Sequence, residues 1–137
     1  MNFMVQVELS KIIIDEKRQD QIIVLKEKNG ERQFPIVIGF LEASSIKMKL
    51  SGIEPPRPMT HDLLVSVIHG LAASLERLII DKMVNNTFHA KLVLVRNGSA
   101  DIKVDARPSD SVALALRAGA PIYVAEEVLD EAGVSEF

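Results

Sequence analysis

The chain has 137 residues, enough to bury one core of ordinary size, and its 47% hydrophobic and 26% charged residues are typical of a globular domain. It contains no cysteine, which excludes disulfides, thiolate metal sites and cysteine nucleophiles. A formal net charge of −3 excludes a broadly basic nucleic-acid-binding protein, and one Tyr, five Phe and no Trp disfavour a base-stacking platform. Any contact with phosphate must therefore come from a local cluster or a bound metal.

The first part of the chain predicts three strands. Hydrophobic and polar residues alternate over roughly residues 3–14, which is typical of a half-buried strand. The segment 21–39 predicts a hairpin, in which Asn29 and Gly30 would supply the positive φ angles of a two-residue turn. Pro35 cannot donate to a ladder, so the third strand is expected to begin late or to lie at an edge.

Two helices are predicted next. The segment 40–50, "FLEASSIKMKL", looks helical, and Gly52 is expected to stop it. After a stiff proline-rich loop, the Thr60 side chain is expected to cap the second helix. The apolar residues that follow form one stripe at helical spacing. They are Leu64, Val67, Ile68, Leu71 and Leu75.

The rest of the chain predicts three strands, a helix, a short strand and a last segment that is either a helix or a frayed tail. The strands are "RLIIDKMV", "TFHAKLVLV" and "ADIKVDA", joined by turns at Asn85-Asn86 and Asn97-Gly98. Pro108 is expected at the first position of the third helix.

The order β-β-β-α-α-β-β-β-α-β-α predicts a single α+β domain of mostly antiparallel strands covered by helices. The segment "MNFMVQVELSKIII" alternates and carries charge early, so it resembles neither a signal peptide nor a membrane span. A cytoplasmic protein without a membrane partner is therefore expected.

Two similar stretches, "RPMTHD" and "RPSD", precede the second and third helices. In a structural interpretation of the first, Thr60 caps the helix and Asp62 favours its positive end while pairing with Arg57. In a functional interpretation, His61 or Asp62 faces a cleft, because a helix start beside an arginine suits phosphate. The spacing alone leaves both interpretations open.

The second stretch admits the same two interpretations. Ser109 and Asp110 are ordinary helix-start signals, and Asp105 ends a strand, where a carboxylate often only caps a turn. If both helix starts lie at one end of the sheet, Asp62, Asp105 and Asp110 would meet and could hold Mg²⁺, Mn²⁺ or Ca²⁺. Such a metal activates water and stabilises a phosphodiester transition state, with Arg57 and Arg107 neutralising charge.

Glu42 lies early in the first helix. Ser45 and Lys49 share its face and are expected to mark the solvated side, which makes Glu42 a surface carboxylate. If that helix end borders the cleft, Glu42 becomes a further ligand or a general base. His69 and His89 are too isolated for a zinc site, and the sequence contains no P-loop, HExxH, GxSxG or dinucleotide fingerprint.

Four long stretches resemble the bifunctional nuclease family of small bacterial and plant domains. They are "FPIVIGFLEASSI", "PPRPMTHDLL", "NNTFHAKLVL" and "DARPSDSVALALRAGAPIYVAEEVL", and the likeness covers about residues 3–130. The resemblance implies an α+β domain, a homodimer and the capacity, reported for plant members, to degrade both DNA and RNA. Many bacterial members carry a helical C-terminal extension of the UvrB/UvrC type. The chain is expected to be one domain, 1–137, without it.

Carried over by motif, the resemblance places the site on Glu42, Arg57, His61, Asp62, Asp105, Arg107 and Asp110. In a first hypothesis the chain is a nuclease acting on DNA or RNA. Asp62, Asp105 and Asp110, with or without Glu42, would hold Mg²⁺ or Mn²⁺. His61 would act as general acid or base, and Arg57 and Arg107 would clamp the phosphate.

In a second hypothesis the chain is a non-catalytic binding or regulatory module, in which the same residues cap helices and form ion pairs. Unpaired carboxylates within about 5 Å of one another would favour metal, and saturated pairs would favour the module.

Overall fold

The structure is a computed structural model that describes residues 3–14, 17, 20–97 and 101–133. Within these ranges the predicted α+β class, single domain and order of elements are confirmed. The strands are β1 (Met4–Ile13), β2 (Asp20–Glu27), β3 (Gln33–Gly39), β4 (Ala73–Val84), β5 (Thr87–Arg96), β6 (Ile102–Ala106) and β7 (Ile122–Ala125). The helices are α1 (Phe40–Leu50), α2 (Thr60–Gly70), α3 (Pro108–Ala118) and α4 (Glu126–Ala132).

The strands form one sheet in the order β3-β2-β1-β7-β4-β5-β6. Among the described strands, β4 and β7 make the one parallel pairing, with Leu78 opposite Ile122, and the other neighbours are antiparallel. Phe34 on β3 and Phe88 on β5 pack with ring centroids 5.5 Å apart although their strands are far apart in the sheet. The sheet therefore curls around its core.

Helix α3 is the central helix of the domain. It contacts α1, α2 and strands β3, β4 and β5, and residues 111–115 are all buried. Small side chains such as Ala113 and Ala115 allow its neighbours to approach closely. Pro108 occupies the first helical position, as predicted, and the Ser111 hydroxyl donates to the Arg107 carbonyl at 2.8 Å. The start of α3 is thus fixed firmly against the core.

The turns agree with the sequence in one hairpin and differ in another. Asn85 and Asn86 have φ angles of 52° and 62° and join β4 to β5, which confirms the predicted turn. The predicted two-residue turn at Asn29 and Gly30 is wrong, because neither residue has a positive φ and residues 28–32 form a longer loop.

Two further predictions concern the position of β3 and the turn after β5. β3 is an edge strand, which confirms the expectation drawn from Pro35. The predicted turn at Asn97 and Gly98 lies partly outside the described residues, since Gly98 is not among them.

Helix α2 differs most from its prediction. Thr60 is its first helical residue and not its cap; instead the Asp62 carboxylate accepts a hydrogen bond from the Met59 amide at 2.9 Å. Most of the predicted apolar stripe does not face the core: Ile68 is half-buried, and Leu75 is buried but already belongs to β4. The exposed residues Leu63, Leu64, Val67 and Leu71, which we call the α2 apolar face, are between 41% and 58% exposed.

The buried residue of α2 is His61, which lies on the face of the helix toward the core. Val65, one turn further along the same face, packs against the hydrophobic core, and the polar contacts of His61 described below add to that packing. No helix in the described ranges is long and apolar enough to cross a bilayer.

Candidate active site

The first turns of α1, α2 and α3 meet at one end of the core. β3 leads directly into α1 and places Glu42 and Ser45 there, the first turn of α2 contributes His61, and the start of α3 contributes Arg107 and Asp110. Hydrogen bonds connect all five side chains. We call these five residues the helix-start cluster.

His61 is the centre of this cluster. Its Nδ1 lies 2.8 Å from Ser45 Oγ, and its Nε2 lies 3.0 Å from Asp110 Oδ1. An ionised carboxylate only accepts hydrogen bonds, so in the neutral ring Nε2 carries the proton and Nδ1 accepts from the Ser45 hydroxyl. The side chain is 10% exposed. Both ring nitrogens are thus occupied, and the imidazole joins three helices.

Arg107 is the outward part of the cluster. Its Nε donates to Asp110 Oδ2 at 3.0 Å, and its Nη2 donates to Glu42 Oε1 at 2.8 Å. The arginine side chain is 68% exposed, whereas those of Glu42 and Asp110 are 15% and 31% exposed. Two partly buried carboxylates therefore hold a guanidinium whose remaining surface faces solvent.

The charges in the cluster stabilise one another. Burial alone would raise the pKa of Asp110, but hydrogen bonds from His61 and Arg107 outweigh it and hold that pKa below its ordinary value. The hydrogen bonds to Asp110 and then to Glu42 raise the pKa of Arg107. Asp110 is consequently ionised and Arg107 charged at neutral pH.

Gly39 makes room for the Glu42 side chain. The glycine ends β3 and precedes α1, and a Cβ atom there would collide with the Glu42 carboxylate. The carboxylate thus folds back over the start of its own helix, where negative charge is favoured. A methyl group at this position would displace the carboxylate from Arg107.

Asp62 is next to His61 in sequence but belongs to a separate ion pair. Arg117, whose side chain is 8% exposed, donates to Asp62 Oδ1 from its Nε at 2.8 Å and to the Ser45 carbonyl from its Nη2 at 3.2 Å. The hydrogen bond from the Met59 amide, followed by the contact with Arg117, lowers the pKa of Asp62. This pair joins α1, α2 and α3 beneath the cluster.

Two predicted residues lie elsewhere. Asp105, on β6, is exposed and lies 3.7 Å from the Lys91 ammonium. Arg57 is exposed in the proline-rich loop and makes no ion pair within the part of the chain that the structure describes. The structure therefore brings together Glu42, His61, Arg107 and Asp110 and leaves the other predicted residues outside the cluster.

The expected convergence of Asp62, Asp105 and Asp110 is not observed. Their carboxylates pair with Arg117, Lys91 and Arg107 respectively. Across residues 3–14, 17, 20–97 and 101–133, no group of three or more His, Asp or Glu side chains is arranged to hold a metal ion. The donor set does not fit the predicted Mg²⁺ or Mn²⁺ site, and a metal requirement stays a prediction.

Sequence reasoning missed Ser45 and Arg117. Ser45 was expected on the solvated face but is buried, whereas Lys49 is exposed as predicted. The available signal was spacing, since Ser45 follows Glu42 by three residues and Arg117 follows Asp110 by seven, which places each pair on one helical face. That spacing does not reveal which face is buried.

Comparison with known proteins gives one family and two sets of relatives. Residues 23–136 match the family model described as the bifunctional nuclease domain. An uncharacterized protein of Mycobacterium tuberculosis is 46% identical over 129 residues, which cover 94% of this chain and 76% of that protein. Bifunctional nuclease 1 of Oryza sativa subsp. japonica is 29% identical over 107 residues, covering 74% of this chain and 32% of the rice protein. Bifunctional nuclease 2 of the same plant is 25% identical over 114 residues, covering 81% and 35%.

Proposed function

Because this chain belongs to the bifunctional nuclease domain family, we propose that it hydrolyses phosphodiester bonds of nucleic acid at the helix-start cluster. One observation carries the proposal: Arg107 presents a largely exposed guanidinium while Glu42 and Asp110 hold it from behind. A planar guanidinium binds two phosphate oxygens at once and stabilises the charge that develops on them. The cluster is therefore suited to position a phosphodiester.

The same contacts assign a role to each carboxylate. When a phosphate replaces Glu42 on Arg107 Nη2, Asp110 still holds the guanidinium through Nε, and the Glu42 carboxylate becomes free beside the phosphorus. Glu42 then accepts a proton from an attacking water as the new oxygen–phosphorus bond forms. The bond from phosphorus to the leaving oxygen on the opposite side breaks, that oxygen takes a proton from solvent, and Glu42 returns its proton to solvent. Since water and not a 2′-hydroxyl attacks, DNA and RNA are both substrates.

His61 has a positioning role in this proposal. Both ring nitrogens are occupied and the side chain is nearly buried, so His61 orients Asp110 and does not contact the substrate. This replaces the acid–base role expected from the sequence. Ser45 fixes the ring in turn, through the hydrogen bond to Nδ1.

Cleavage assays with matched variants test the proposal. Labelled single- and double-stranded DNA and RNA are incubated with purified protein in Mg²⁺, Mn²⁺ or EDTA. Glu42→Gln and Arg107→Gln should each reduce cleavage by about 100-fold or more, whereas Asp105→Asn and Arg57→Gln, which change predicted residues outside the cluster, should retain it. Retained activity in the cluster variants, or equal loss in the controls, would refute this site. The EDTA arm tests the predicted metal requirement separately.

A second candidate function is a binding or regulatory module without catalysis. The specific observation in its favour is that both carboxylates of the cluster, Glu42 and Asp110, are already ion-paired. Saturated pairs of this kind need no ligand to stabilise them. Well-folded protein that binds nucleic acid but cuts none of the four substrates under any metal condition would establish this function instead.

We also propose the homodimer that the family resemblance implies. The α2 apolar face supports it, because exposed apolar side chains on one helix are typical of self-association surfaces. Light scattering after size exclusion should give twice the chain mass, and Leu63→Glu with Leu71→Glu should reduce it to one chain. A cytoplasmic location stays a prediction.

A further inference from the structure

A groove of about 680 Å³ opens beside the helix-start cluster, and Arg107 forms part of its lining. β3, the β4–β5 turn, the start of α3 and the end of α4 surround it. We propose that this groove holds one unpaired nucleobase of a single-stranded nucleic acid whose adjacent phosphate lies on Arg107. The inference rests on the function proposed above and names its substrate class.

The size of the groove suits a small part of a strand. Its volume is within the range of about 300–1,000 Å³ that is usual for sites that enclose small ligands. A base in a duplex is stacked and paired and must be flipped out before a protein pocket can enclose it. An unpaired base can enter directly, so the groove favours single strands.

The chemistry of the lining fits a base. Pro35, Val37 and Phe88 provide apolar surface, and Val37 is 62% exposed. Asn86 and Thr87 stand at the turn, and their side chains make no hydrogen bond within the described part of the chain. An amide offers both a donor and an acceptor, as the edge of a base requires. The flat face of a base and its polar edge would thus both find partners.

The charges of the lining exclude the sugar–phosphate backbone from the groove. Arg107 is the only cation among the described lining residues, and Asp20 and Glu131 supply carboxylates. One phosphate can lie on Arg107, but a second phosphate further along would meet those carboxylates. The groove therefore accepts the neutral part of a nucleotide next to the phosphate.

The variants must separate recognition from the structure of the turn. Asn86 has a φ of 62°, so Asn86→Gly keeps this backbone conformation while removing the amide. Thr87→Val keeps the branched shape that suits a strand and removes the hydroxyl. Val37→Asp adds a carboxylate to the apolar wall. Val104→Asp on β6, at the other edge of the sheet, is the matched control for an exposed valine.

Fluorescence anisotropy with nuclease-resistant phosphorothioate strands tests the inference. Each strand is a chain of abasic linkages with or without one central base, prepared in deoxyribose and ribose forms. The base should strengthen binding about tenfold, as base contacts to single strands usually do. Asn86→Gly and Thr87→Val should weaken the base-containing complex toward the abasic level and leave abasic binding unchanged. Val37→Asp should weaken the base-containing complex more than the abasic one, and Val104→Asp should change neither.

Three results would overturn the inference: equal binding with and without the base, groove variants that weaken both strands alike, or a duplex that binds as tightly as a single strand. The outcome is separable from that of the proposed function. If the protein cleaves nucleic acid but its binding does not depend on the base, the proposed nuclease function is supported and the proposed base-binding role of the groove is refuted. If binding depends on the base but the protein cleaves none of the substrates, the base-binding role of the groove is supported and the proposed hydrolytic function is refuted.

Discussion

Arg32 and Arg107 each bind more than one carboxylate, but they leave different amounts of surface free. Arg32 Nε lies 2.5 Å from Glu27, and its Nη1 lies 2.7 Å from both Glu126 and Asp130. Its side chain is 33% exposed, half the value for Arg107. Three carboxylates surround one guanidinium, whereas Arg107 has two partners on one side and solvent on the other.

The difference distinguishes a structural ion pair from a site. Hydrogen bonds to Glu126 and Glu27 raise the pKa of Arg32, and the hydrogen bond from Arg32 lowers the pKa of Glu27. These contacts join the β2–β3 loop to α4 and leave little of the guanidinium for a ligand. At Arg107 the carboxylates are the less exposed partners, so the free face of the cation points outward. Whether an arginine can bind a ligand therefore depends more on whether the guanidinium is the exposed partner than on how many ion pairs it makes.

Replacing Arg107 should give the largest effect. Arg107→Gln is expected to reduce cleavage by about 100-fold or more, because a donor that stabilises transition-state charge is lost. The melting temperature should change little, since the side chain is exposed. Initial rates and thermal melts on the same preparation measure both. A variant that melts much earlier and loses activity only in proportion would place Arg107 with Arg32 as a structural residue.

Two glycine variants compare Glu42, which pairs with Arg107, with Glu27, which pairs with Arg32. A Cβ at Gly39 would collide with the Glu42 carboxylate, and a Cβ at Gly30 would collide with that of Glu27. Gly39→Ala should therefore lower cleavage about tenfold at nearly unchanged stability, because a flexible side chain can move aside. Gly30→Ala should lower only the melting temperature. Equal activity of the two variants would argue against a role for Glu42.

Replacing Arg32 should affect stability alone. Arg32→Gln is expected to lower the melting temperature by about 4 °C, since partly exposed ion pairs each contribute at most about 1 kcal/mol. Cleavage below the transition should be unchanged. Differential scanning calorimetry with Lys26→Gln, which removes a longer and more exposed ion pair to Glu31, provides the control.

Acid should weaken the cluster by a smaller amount. The pKa of Asp110 is lower in the folded protein than in the unfolded chain, so its contribution is fully present above about pH 4. The contribution is lost as the pH falls through the lower folded value. Asp110→Asn should therefore flatten the fall of melting temperature between about pH 5 and pH 2. Asp105→Asn, an exposed carboxylate on β6, should leave that slope as in the parent protein.

Local signals in the sequence predicted the elements and only part of the cluster. Alternating strands, Pro108 and the Asn85–Asn86 turn depend on short-range sterics, so the order of elements could be predicted. The contact of Arg107 with Asp110 is also local, since three residues separate them at a helix start. The contact of Arg107 with Glu42 spans 65 residues and depends on how α1 packs on α3. No local pattern contains that information.

The errors have similar physical causes. The turn at Gly30 was overridden by the ion pair and hydrogen bonds between Glu27 and Arg32, which close a longer loop. The stripe on α2 was assigned to the core because apolar residues at helical spacing usually face inward. Here the inward face of α2 instead carries His61, which contacts Ser45 and Asp110, together with Val65, and the apolar face lies outward. In both cases specific side-chain contacts outweighed the local preference.

The position of β7 has a consequence for how the chain folds. β1–β3 and β4–β6 are each local antiparallel units, but β7, near the end of the described chain, lies between β1 and β4. Until Ile122–Ala125 has left the ribosome, the inner edges of both units have no partner strand, and such edges favour aggregation. The sheet is therefore completed only after β7 has been synthesised, and the high proportion of contacts between residues distant in sequence predicts refolding on the millisecond-to-second timescale. A ribosome stalled before residue 122 should display two unjoined half-sheets that chaperones bind.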